Sequence, residues 1–127
     1  MTAAVVVEAR EHLRATLTAH QDLPVLGHVP ERIEPPCIII TERAPFIEPT
    51  GAIMGISVLF NATVLEAPVA DNETATRRLD EHVSAALSAL YRHQGPATVG
   101  SYGTTTGPDG ATYQSAVIEA DINAVID

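Results

Sequence analysis

The chain has no lysine and no tryptophan, one cysteine, and only 4% aromatic residues in a length of 127. Each shortage excludes something. Without lysine there is neither a Schiff-base amine nor a phosphate-loop lysine. One cysteine excludes an internal disulfide, and Cys37 is followed by Ile38, Ile39 and Ile40, the setting of a buried, inert thiol. With so few aromatics the core must be built from Ala, Val, Ile and Leu. Hydrophobic residues make up 46%, a globular rather than a disordered composition. Basic charge is scarce too: seven arginines face 16 acidic residues, a net charge of -9. Such a surface repels a phosphate backbone. No apolar run approaches the ~20 residues that cross a bilayer. No basic region followed by an apolar run opens the chain, so the expectation is synthesis without a signal peptide in a reducing cytoplasm.

A chain of this length suits one domain, here residues 1–127, with a single core that needs no staples. The best-patterned segment is 113–127. Its even positions read Gln114, Ala116, Ile118, Ala120, Ile122, Ala124 and Ile126. Its odd positions include Ser115, Glu119, Asp121 and Asn123. That is a strand with one apolar and one acidic, polar face. Straight, it would reach roughly 50 Å, against a radius of gyration of about 14 Å for a compact domain of this size. It must bend, break or reach towards a neighbouring subunit. Ile56, Val58, Phe60, Ala62 and Val64 predict a second long strand, and Cys37–Ile40 a buried one. Val25–Val29 predicts a short edge strand. Residues 97–106 and the turn Gly107-Pro108-Asp109-Gly110 make the last two strands a hairpin.

Two helices are predicted. Over 3–20, Val6, Ala9, Leu13, Leu17 and His20 share one face, with Thr2 as N-cap. The second opens at Asp71, carries Ala75, Leu79, Val83, Ala86, Leu87 and Leu90 as its apolar stripe, and stops at Gly95-Pro96. The order helix, short strand, strand, strand, helix, strand, strand predicts an α+β two-layer sandwich: a mainly antiparallel, mixed sheet with both helices on one face.

No residue pattern carries catalysis, a cofactor or a metal. The five histidines form no HxH or HExxH arrangement, and the His12–Glu8 pair reads as a solvated helix pair. Asp80 and Glu81 beside His82 are ordinary for a surface helix. Asp71 and Asp80 fall on roughly opposite sides of theirs. Ser84 and Ser88 lack a nucleophile elbow. Gly100, Gly103, Gly107 and Gly110 precede no helix start. Arg43, His28 and Tyr102 are the only loose candidates for a pocket. Residues 44–55 stand out instead. Pro45, Pro49 and Gly51 predict a loop, yet it holds Phe46, Ile47, Ile53 and Met54. A surface loop exposes these side chains unless it folds back on the core or another subunit covers them.

The layout resembles the tail terminator family of long-tailed bacteriophages, the minor tail protein U-like or tail completion proteins. The resemblance rests on an N-terminal helix, Val29-Pro30, then Pro35-Pro36-Cys37-Ile38-Ile39-Ile40. A variable loop, the strand 56–65, a helix with Arg78-Leu79-Asp80-Glu81, and a closing hairpin with Tyr113 follow. It covers nearly the whole chain. It implies a structural protein, not an enzyme, without cofactor. Such a protein forms a hexameric ring at the head-proximal end of the tail tube, ends tube polymerisation, and meets the head-tail connector. DNA passes through the lumen without specific binding, and no membrane is involved. Synthesis in the bacterial host cytoplasm and residence in the virion tail follow from the same resemblance. A closed ring needs two different patches on each subunit, and Phe46, Ile47, Ile53 and Met54 are the expected first one. Another head-tail neck protein shares these elements. A small cytoplasmic ligand-binding or hydrolase-like α+β domain is the remaining alternative, and it would need a pocket of converging polar groups.

Overall fold

The computed structural model describes residues 5–68 and 71–126. In chain order the elements are α1 (Val5–His20), β1 (Val25–Leu26), β2 (Cys37–Pro49), β3 (Gly55–Leu65), α2 (Asn72–His93), β4 (Thr98–Thr106) and β5 (Thr112–Val125). The five strands form one sheet in the order β1-β2-β3-β5-β4. Only the β1–β2 pair is parallel. Both helices lie on one face, so the expected α+β two-layer architecture is what the chain adopts.

Period-two patterning explains which residues meet the helices. Ile38 and Ile40 of β2, Ile56, Val58, Phe60, Ala62 and Val64 of β3, and Ala116, Ile118, Ala120 and Ile122 of β5 share one face. They bury against Ala9, Leu13 and Leu17 of α1 and Leu79, Val83, Ala86, Ala89 and Leu90 of α2. Each fully buried aliphatic side chain contributes about 1.5–3 kcal/mol relative to exposure. β5 does not break. It pairs with β3 without a register shift from Gly55↔Val125 to Leu65↔Ser115. On the opposite face a small second cluster, Ile33, Cys37, Ile39, Leu65 and Tyr113, covers only the end of the sheet where β2 begins. Gly107 sits against it, and a Cβ there would meet Ile33 Cδ1 at 2.8 Å.

The α2 boundaries follow from its ends. Asp71 accepts the Thr74 hydroxyl at 2.7 Å and the Glu73 N–H at 2.9 Å, and these bonds, the first above all, hold its carboxyl below the usual range. At the far end the Gln94 and Gly95 N–H groups both donate to Leu90 O, and Gly95 takes a φ of 151°. The expected N-cap Thr2 lies outside the described residues.

Three expectations are corrected. The segment 44–49 is not loop. β2 continues through it to Pro49, with a bulge between Glu42 and Ile47, and only 50–54 turn. The prolines are tolerated because β1 covers β2 only at Ile38 and Ile39, leaving the rest of that edge unpaired among the described residues. The short strand spans Val25–Leu26 and does not reach Val29. His20 is exposed and stacks on His93, with ring centroids 3.6 Å apart, rather than joining the core face of α1.

Candidate functional site

The hairpin β2–β3 decides where the four apolar residues of 44–55 go. Phe46 turns inward and is partly buried against the core. Its ring meets Phe60 edge-on at 5.4 Å, and Phe60 is fully buried. The bulge permits this, because extra β2 residues between the Glu42↔Phe60 and Ile47↔Val58 pairs let the chain fold in over the core. The other three stay out. Ile47 is exposed opposite Val58, Ile53 stands at the turn with 93% of its surface free, and Met54 is exposed with a φ of 62°. Left-handed backbone costs a non-glycine residue about 1–2 kcal/mol. The turn is held by Thr50 N–H to Gly55 O at 3.2 Å and Gly55 N–H to Ala52 O at 3.0 Å. A side chain at Gly55 would collide with Thr50 Oγ1 and Ala52.

The end of β5 lies beside this turn. Ile126 N–H donates to Met54 O at 2.7 Å, and Val125, itself exposed, pairs with Gly55. Ile53, Met54 and Val125 therefore form one apolar end of the sheet. Ile47, further down the same hairpin, is paired with Val58 and so lies on the helix-side face, opposite to Val125. Val125 was the residue that sequence reasoning missed. Its signal was an apolar side chain on the polar, odd-numbered face of β5.

The sheet face away from the helices is bare beyond the second cluster. Arg43 pairs with Asp121 across Leu59, and Asn61 and Glu119 lie alongside. Arg43 Nε and Asn61 Oδ1 are buried without a hydrogen-bond partner. Arg43, His28 and Tyr102 do not converge. His28 is exposed in the chain between β1 and β2, and Tyr102 reaches α2, donating to Asp80 Oδ1 at 2.6 Å. Partial burial first, and the Asp80 carboxylate second, push the Tyr102 phenol up to about 12. A phenol raised from an ordinary value near ~10 stabilises the fold fully below that value and loses the contribution as pH rises through about 12. A spectrophotometric titration should show this late phenolate, and Tyr102→Phe should abolish that phase. A wild-type curve complete by pH ~11 would contradict the assignment.

One titratable pair is deeply placed. The Glu66 side chain is 2% exposed, and His82 Nδ1 lies 2.6 Å from its Oε2. The acid partner of His82 is thus Glu66, from the end of β3, and not the adjacent Asp80 or Glu81. Among the described residues no three His, Cys, Asp or Glu side chains are grouped to hold a metal, and no helix is long and apolar enough to cross a membrane.

A concavity of about 670 Å³ lies between α1 and the last residues of β5. Val5, Glu8, Ala9 and His12 form one wall, and Gln94 and Pro96 close one end. His12 Nε2 contacts Gln94 Oε1 at 2.9 Å, and Gln94 Nε2 donates to Asp121 O at 3.0 Å.

No protein-family model and no curated protein matches this chain. Its function must be argued from the surface just described.

Proposed function

We propose that this chain is a structural virion protein of the tail terminator kind. In this reading it caps the head-proximal end of a phage tail tube, ends tube polymerisation, and offers the joining surface to the head-tail connector. It acts as a ring of like subunits, with the tube protein and the connector as partners and the virion tail as its location. It performs no catalysis. The resemblance in element order gives the reading its starting point. The observation that carries it is the apolar end of the sheet, where Ile53, Met54 and Val125 are exposed side by side with Ile47 further along the same hairpin. The other exposed apolar residues among those described, Val7, Val29, Tyr91 and Tyr102, are scattered over separate elements. A hairpin that holds such residues away from the core suits a subunit contact. The net charge of -9 suits a lumen through which DNA slides without being gripped.

Sedimentation over a range of concentrations tests the ring. The expected result is a discrete species near six times the 13.4 kDa subunit mass. Ile53→Asp should shift it to the monomer with little change in melting temperature, because an exposed turn residue contributes little to the core. A wild-type chain that stays monomeric throughout, or an Ile53→Asp variant that still forms the ring, would count against the assigned patch.

A further inference from the structure

β4 begins at Thr98, which pairs with Glu119. Among the described residues, no strand lies beside β5 on that side from Asp121 to Val125. The Ile126 N–H donates to Met54 O, so the even-numbered backbone groups of this stretch face the β2–β3 hairpin. The odd-numbered ones, those of Asp121, Asn123 and Val125, face the opposite way, into the groove beside α1. Gln94 marks the direction, since its side-chain amide donates to Asp121 O from the position a neighbouring strand's N–H would occupy.

We propose that this open edge is a strand-addition site for an extended segment of another protein, one alternating apolar and basic residues. The occupant's backbone follows from the row of edge-facing groups on Asn123 and Val125, with Asp121 O already taken by Gln94, a row that an added strand satisfies and a small molecule does not. Its side chains follow from the pleat. One set would face the helix layer, over Val5 and Ala9 and beside Ile122 and Ala124. The other set would lie on the bare face beside Asp121 and Asn123. Its charge follows from the surroundings. Of the two carboxylates along the groove, Asp121 is already paired with Arg43, and Glu8 has no basic partner among the described residues. No arginine lines the groove, and the whole chain carries -9. A second copy would bring the same acidic edge against this one, which disfavours self-pairing here. Among the described residues, the exposed edge along β2 is blunted by its bulge, Pro45 and Pro49, and the outer edge of β4 is open but has no groove beside a helix, whereas residues 121–125 contain no proline and border the α1 groove. This inference stands apart from the tail terminator reading and needs only the edge.

The test uses the intact chain and a short fluorescein-labelled peptide of alternating valine and lysine, followed by anisotropy. Two control peptides accompany it. One replaces lysine by glutamate. The other keeps the lysines and carries N-methyl groups on the edge-facing amides. Saturable binding of the lysine peptide is expected, with a loss of about tenfold for each edge hydrogen bond blocked in the N-methyl version, and weaker binding still for the glutamate peptide. Asn123→Pro removes a groove-facing N–H and spares the β3 ladder, so it should fold with an unchanged circular dichroism spectrum and lose the peptide. No binding, or equal binding of the N-methyl peptide or to Asn123→Pro, would overturn the proposal. A dimeric mass that Asn123→Pro abolishes would assign the edge to a second copy and overturn it as well.

Discussion

Phe60→Ala should be the most damaging single substitution in the sheet, costing about 3–5 kcal/mol. Phe60 heads the largest fully buried side chains. Its ring contacts Phe46 across the bulge, and the Arg10 guanidinium sits 5.5 Å from its centroid. Arg10 is in turn tied to Glu42 at 2.8 Å and to Gly27 O at 3.0 Å. Removing the ring therefore leaves a cavity and loosens the packing that holds Phe46 and the hairpin arm. Phe60→Leu keeps most of the volume and should cost clearly less. Urea unfolding of the two variants checks the order. Near-equal losses would mean that the site collapses around alanine and that Phe60 does not organise the arm.

His82→Leu is expected to cost about 3 kcal/mol, although His82 is only partly buried. The loss comes from Glu66. Its carboxyl is enclosed at the end of β3, and His82 is its hydrogen-bonding side-chain partner. Leucine at 82 leaves that carboxyl buried and unpaired, which costs more than the hydrogen bond contributed. The double variant His82→Leu with Glu66→Met should recover most of the loss, because an apolar pair replaces a polar one. A double-mutant cycle by thermal or urea unfolding measures the coupling. Additive losses would show that the two side chains do not depend on each other.

Much of the layout was legible because the local signals agree with the tertiary ones. Asp71, the stripe from Ala75 to Leu90 and Gly95-Pro96 each delimit α2 on their own, and packing had nothing to overrule. The alternation of β5 was legible because one of its faces is buried along most of its length. The segment 44–49 was misread because proline in a strand signals a break only when the strand needs that N–H. On an unpaired, bulged edge it does not. A clue was present in β3. Its eleven residues, buried on one face throughout, need a partner strand longer than Cys37–Ile40.

The candidate surface was legible in part, for a different reason. Composition flagged Phe46, Ile47, Ile53 and Met54 as out of place, but it could not tell which side chain would turn inward. That depends on the register slip between Glu42 and Ile47. The Glu66–His82 pair was hidden because its members are 16 positions apart in sequence. Only the docking of α2 on the end of β3 brings them together. The open edge at Asp121–Val125 was invisible for a similar reason, since it is set by where β4 starts relative to β5.

The central claim, that this chain caps a tail tube, is tested most directly by polymerising the tail tube protein of the same phage with and without it and imaging the products by electron microscopy. The account predicts short tubes of uniform length, or tubes carrying a ring at one end only, and neither when Ile53→Asp replaces the wild-type chain. Tubes that grow without limit and carry no bound protein in the presence of the wild-type chain would contradict it.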